Sequence, residues 1–153
     1  MQLARNAGAR VIGAAGGAGK TAVVADLGAD AVTDYSAAGW TSGVGEVDVV
    51  FDGVGGEIGR AAFGLVRDGG RFCSYGLSSG AFTAVDEPEA ARRGITVIRG
   101  VRVTPELSAK ALAEAEAGRL RPLVGQTFPL ERAADAHAAI ESRQTIGKTL
   151  LIV

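Results

Sequence analysis

Residues 47–56 read Val-Asp-Val-Val-Phe-Asp-Gly-Val-Gly-Gly, and the fold turns on how this stretch is read. Val47 to Phe51 form a short, nearly continuous apolar run, the pattern of a strand covered on both faces. Asp52 and Gly53 to Gly56 follow as a turn, and Ile58 to Val66 then take helical spacing. Strand, glycine-rich turn and helix in that order make part of a βαβ unit.

The same order recurs on both sides. Upstream, residues 2–7 predict a helix tail closed by Gly8, residues 10–14 a buried strand, residues 20–27 a helix ended by Gly28, and residues 31–33 a strand. Residues 36–46 are Gly/Ser-rich and predict a loop. Downstream, the turn Asp68-Gly69-Gly70 leads into a strand over 71–75, a short helix over 87–92 and a strand over 95–103 interrupted by Gly100. Thr104 as N-cap and Pro105 at the first helical position start a helix that stops at Gly118. Its apolar stripe is Leu107, Ala111, Leu112 and Ala115. A helix over 131–142, burying Ala133, Ala136 and Ile140, and a strand over 149–153 close the chain. This alternation predicts an α/β fold with a doubly wound, mostly parallel sheet.

Composition excludes several functions. A length of 153 residues suits one domain, and neither an internal repeat nor a domain boundary is visible. The net charge of -1 offers no basic footprint for nucleic acid or an anionic membrane. No run approaches the roughly 20 apolar residues of a membrane helix. A lone cysteine, Cys73, rules out an internal disulfide and a cysteine-rich zinc site, and it fits a reducing cytoplasm. No metal site is expected.

Four predicted strands end near Ala15, Phe51, Tyr75 and Arg99, and each is closely followed by glycine: Gly16, Gly53, Gly76 and Gly100. In an open parallel sheet these carboxyl ends share one edge, where ligands bind. Glycines there let a flat, charged ligand approach the backbone. The first loop, within RVIGAAGGAGKTAVVADLG (residues 10–28), supports two readings. As a P-loop it would cradle phosphates, with Lys20 reaching the terminal ones and Asp52 holding Mg²⁺. Strict spacing, however, requires glycine where Ala14 stands. As the second strand of a dinucleotide-binding unit it would meet the adenosine ribose, where an acid selects the 2′-hydroxyl and positive charge selects a 2′-phosphate. The loop offers Gly16, Gly17 and Lys20, with no acid before Asp26.

VDVVFDGVGG (47–56), DGGRFCSYGLSSG (68–80) and the ending FPLERAADAHAAIESRQTIGKTLLIV (128–153) closely resemble the quinone oxidoreductase (zeta-crystallin-like) branch of the medium-chain dehydrogenase/reductases. The resemblance runs through essentially the whole chain. It implies a Rossmann-type domain, and zinc-independent hydride transfer from NADPH to a quinone or enone. It further implies that Gly16, Gly17 and Lys20 hold the 2′-phosphate, with Tyr35 a further donor, and that Val54 lies near the adenine side. Gly76, Leu77, Ser78, Ser79, Gly80 and Ala81 would run beside the pyrophosphate and nicotinamide half. Val101 and Arg102 match positions near the nicotinamide, and Arg143 matches a basic residue close to the cofactor. The strand near Ile95 to Val103 resembles the family's dimer-forming edge, so a homodimer is expected.

Complete members carry a GroES-like domain, a first Rossmann strand and its pyrophosphate loop before the region corresponding to Met1. Residues 1–153 are therefore expected to be an incomplete NADP(H)-binding domain, which alone would bind NADPH poorly. The missing central strand would separate the strands on either side of it, which must re-pair or leave exposed edges. The alternative reading is a P-loop-like ATP-binding protein or a non-catalytic nucleotide-binding remnant. No catalytic residue is assigned. Ser78 and Ser79 are donors at most, Asp52 orients its turn, Cys73 is a small buried hydrophobe, and His137 is expected to pack on the inner stripe of its helix.

Overall fold

The computed structural model describes residues 1–100, 102–143 and 145–153. Two compact units divide them, Leu3–Thr104 and Pro105–Val153. The first holds α1 (Gln2–Asn6), β1 (Ile12–Ala15), α2 (Ala18–Asp26), β2 (Ala31–Asp34), β3 (Val47–Asp52), α3 (Gly56–Gly64), β4 (Val66–Ser74), α4 (Glu87–Arg92) and β5 (Thr96–Arg99). The second holds α5 (Pro105–Glu116), β6 (Val124–Pro129), a single 3-10 turn, α6 (Ala133–Glu141) and β7 (Lys148–Ile152).

Every strand pair among the described residues is parallel, as the βαβ reading requires. The strands form three sheets, in the orders β1-β2, β3-β4-β5 and β6-β7. The pair β1-β2 does not join β3, so of the two outcomes expected for the upstream and downstream strands, direct re-pairing is not the one taken.

The core belongs to β3-β4-β5. Phe72 and Val66 are fully buried, and Phe63, Ala90 and Ile95 complete the cluster. Phe63 from α3 meets Phe72 edge to face, with ring centroids 5.4 Å apart, an arrangement that aromatic quadrupoles favour. Val50, Val85 and Val97 pack around them. At the start of α4, Asp86 accepts a hydrogen bond from the Glu89 amide, so its side chain caps the helix. The outer edge of this core is tied by Arg93, which bonds Asp68, Glu89 and the Val66 carbonyl.

Several expectations are corrected. The helix after residue 56 stops at Gly64, and β4 already begins at Val66 and runs through the Gly69-Gly70 turn. Among the described residues of the strand expected over 95–103, only Thr96–Arg99 are strand, and pairing with β4 ends where β4 ends, at Ser74↔Arg99. The stripe on α5 does not face a core: Leu107 and Leu112 are exposed and no residue of α5 is buried. On α6 only Ala136 is buried, whereas Ile140 and His137 are exposed. Strand β6 was not foreseen; it alternates weakly and exists because β7 pairs with it from Val124↔Lys148 to Pro129↔Ile152.

Phe72→Ala should cost about 3–5 kcal/mol in urea unfolding, since it empties the centre of the core. Leu112→Ala, on the exposed side of α5, should change stability by less than about 0.5 kcal/mol.

Candidate functional site

The predicted residues gather in two clusters, each at the carboxyl ends of parallel strands. At the first, β1 ends at Ala15 and β2 at its register partner Asp34. Gly16 follows, and the Tyr35 ring lies against it so closely that a Cβ on Gly16 would sit 2.7 Å from the ring. Gly17, at φ +87, is the N-cap of α2, a left-handed conformation that side chains resist. Among the described residues nothing lies within 4 Å of a Cβ placed on Gly17 or Gly19, so open space borders the helix start. Lys20 stands in the first turn of α2, which carries no acid. Gly16, Gly17, Lys20 and Tyr35 thus share one site, with the positive end of a helix dipole beside them.

The charge balance of this loop differs from the one its sequence implies. The loop itself has no acid before Asp26, yet Asp34 supplies one from the neighbouring strand. The Gly17 amide donates to Asp34 Oδ1 at 2.9 Å, and the Ser36 amide and hydroxyl donate to the same oxygen. Parallel pairing brings the acid in, so loop composition could not reveal it. The Gly17 amide, followed by the Ser36 hydroxyl and amide, holds the Asp34 carboxyl below its ordinary range.

The second cluster surrounds Asp52, which is buried at the end of β3. The Val54 and Gly55 amides donate to Asp52 Oδ1 at 3.0 and 2.9 Å. The Thr83 hydroxyl donates to Asp52 Oδ2 at 2.6 Å. Gly55, at φ +76, also packs against the Ala81 carbonyl with no room for a Cβ. The Ser79 amide donates to the Val54 carbonyl at 2.8 Å, and Ser79 Oγ lies close against Gly56. Tyr75 lies over Gly53, where a Cβ would fall 2.8 Å from its hydroxyl. Val54, Gly76, Leu77, Ser78, Ser79, Gly80 and Ala81 are therefore brought together as two facing loops. The surfaces of residues 77–81 are exposed.

Three candidates belong to neither cluster as described. Val101 lies outside the described residues, Arg102 is exposed after β5, and Arg143 belongs to the second unit, at φ +60. Sequence reasoning missed Asp34, Thr83, Tyr75 and Ser74, and gave Asp52 its turn or, in the P-loop reading, Mg²⁺. The Asp-Tyr-Ser and Ser-Tyr-Gly triplets that end two strands were the available signals. Ser74, the register partner of Asp52, is buried, and its Oγ has no hydrogen-bond partner among the described residues. Cys73 is half-buried, and burial pushes its thiol up, as a packed hydrophobe requires.

The family described as zinc-binding dehydrogenase matches residues 27–151. The chain belongs to this family. Among its relatives, a quinone oxidoreductase of Sus scrofa is 30% identical, with the match covering 99% of this chain and 50% of that protein. Quinone oxidoreductase-like protein 2 of Bos taurus is 29% identical over 94% of this chain and 45% of its own length. The crystal structure of Escherichia coli quinone oxidoreductase complexed with NADPH superposes with a TM-score of 0.86, at 30% identity, covering 99% of this chain and 52% of that one. A NAD-dependent alcohol dehydrogenase gives 0.89 at 31% identity, covering 99% of this chain and 46% of the other. The chain spans about half the length of the relatives it matches. These likenesses bear out the quinone oxidoreductase branch and the Rossmann-type fold.

The family's description raises zinc. The chain has one cysteine and one histidine, and no three His, Cys, Asp or Glu side chains cluster among the described residues. That donor set does not fit the ion.

Gly55→Ala should lower the melting temperature by several degrees, since it combines strain with a collision against the Ala81 carbonyl. For Asp34, the carboxylate's stabilisation holds above the ordinary carboxyl pKa and is lost as pH falls through its lowered value. The stability gap between wild type and Asp34→Ala, followed by urea unfolding, should therefore shrink on acidification; a pH-independent gap would show that the charge does not matter.

Proposed function

We propose that the chain is the cofactor-binding part of an NADPH-dependent oxidoreductase that reduces a quinone or a related enone without zinc. The observation carrying this reading is the α2 entrance: a positive-φ glycine N-cap, open space beside Gly17 and Gly19, and Lys20 in a first turn free of acids. These features suit a 2′-phosphate, which gains from the helix dipole and an ammonium group together, against the Asp34 carboxylate that already holds the Gly17 amide. The absence of bulk on Gly16 lets the Tyr35 ring close the site from β2, with its hydroxyl as a further donor.

NADPH, when bound, supplies a hydride to the acceptor. The chain's own residues bind and orient. Val54 and residues 76–81 form a glycine-rich surface against which the rest of a dinucleotide can run, and Ser78 and Ser79 add hydroxyl donors. Arg102 and Arg143 are proposed as further charge partners of the cofactor, and Val101 as a residue beside it. Small-molecule substrate and homodimerisation through the β5 edge belong to the same proposal. The absence of a membrane-length apolar helix among the described residues is compatible with a cytoplasmic setting.

The P-loop alternative loses its magnesium acid. Asp52 is buried and engaged by Val54, Gly55 and Thr83, and β3 does not share a sheet with β1.

Thermal-shift titration tests the proposal. NADPH should stabilise the chain more than NADH, and Mg-ATP should have no effect; stabilisation by Mg-ATP alone would overturn it. Lys20→Glu should weaken NADPH by at least about tenfold, a loss of roughly 1.4 kcal/mol, and NADH by much less. Equal losses would remove Lys20 from the 2′-phosphate.

A further inference from the structure

We infer that Asp52 and Thr83 form a buried clamp that sets the spacing of the two cofactor-facing loops, making both positioning residues for dinucleotide binding. The inference rests on the cofactor reading of this crevice. Asp52 divides its carboxylate between the loops. Oδ1 accepts the Val54 and Gly55 amides of the first loop, and Oδ2 accepts the Thr83 hydroxyl that ends the second. Both side chains are more than nine-tenths buried, so water cannot substitute readily for the lost partner.

The surroundings are shaped to the pair. Gly59 on α3 leaves room for them, since a Cβ there would collide with Thr83 Oγ1 and lie 2.6 Å from Asp52 Oδ2. Beyond the clamp, the loops touch through the Ser79 amide on the Val54 carbonyl and the Ala81 carbonyl against Gly55. Residues 77–82 themselves are exposed and bury nothing of their own. Their place relative to Val54 is therefore held by the buried tie at one end and by β4 at the other. Ser74, beside Asp52 with an unpartnered hydroxyl, does not take over the bond to Oδ2.

A clamp of this kind acts through preorganisation: without it the loop must be ordered at the moment of binding, and affinity falls. Thr83→Val keeps the shape and removes the donor, whereas Thr83→Ser keeps the donor. Dissociation constants for NADPH, from its fluorescence on the full chain, should rise about tenfold for Val and stay within about twofold for Ser. Melting temperature is followed in parallel. If Val binds as tightly as wild type, or if Ser and Val weaken together, the clamp is overturned.

Amide hydrogen exchange on the wild-type chain tests the clamp without relying on a folded variant. Added NADPH should slow Val54, Gly55 and Ser79 together. Slowing confined to one loop overturns the clamp. A wild-type chain that binds no dinucleotide overturns the cofactor reading itself, and the clamp with it.

Discussion

A carboxylate buried at the end of a strand is costly unless donors surround it. Asp52 meets that condition with two backbone amides and one hydroxyl, all within 3.0 Å, and much of the first unit is arranged to provide them. The Val54 and Gly55 amides converge on one oxygen, and the positive φ of Gly55 turns the chain that follows into α3. The absence of a side chain on Gly59 lets α3 approach the other. Phe63, one helical turn beyond Gly59 on α3, then reaches Phe72, so the polar knot and the aromatic core share one helix. Loop conformation, helix placement and core packing are in this sense one constraint.

The other strand pair solves a similar problem with opposite exposure. Asp34 is only half-buried and also collects backbone and hydroxyl donors, one of them the N-cap amide of α2. An anion at that entrance would meet an amide already engaged and a negative charge already present, balanced by Lys20 and the helix dipole. In the proposed reading of this entrance, Lys20 and Asp34 would act with opposite charge on a 2′-phosphate, from different elements.

Membership in a family described as zinc-binding is not matched by a cluster of three His, Cys, Asp or Glu side chains among the described residues. The likeness to quinone oxidoreductases covers nearly the whole chain. Fold and chemistry separate here in the usual way: the scaffold is shared, and particular side chains decide what it can hold.

The sequence by itself determined the α/β class, the parallel strands and the glycine-rich ends at which ligands gather, because these follow from local apolar runs and turn chemistry. The glycine turns at Gly16, Gly53 and Gly76 were legible for the same reason. What depends on register was not. Strand β6 is made by pairing with β7, β5 is cut short where β4 ends, and α5 and His137 face outward despite helical spacing. Thr83 stands 31 residues from the carboxylate it bonds, and Asp34 stands 17 from its amide. Periodicity reports which face of an element is apolar; only the tertiary structure decides what that face, or that carboxylate, meets.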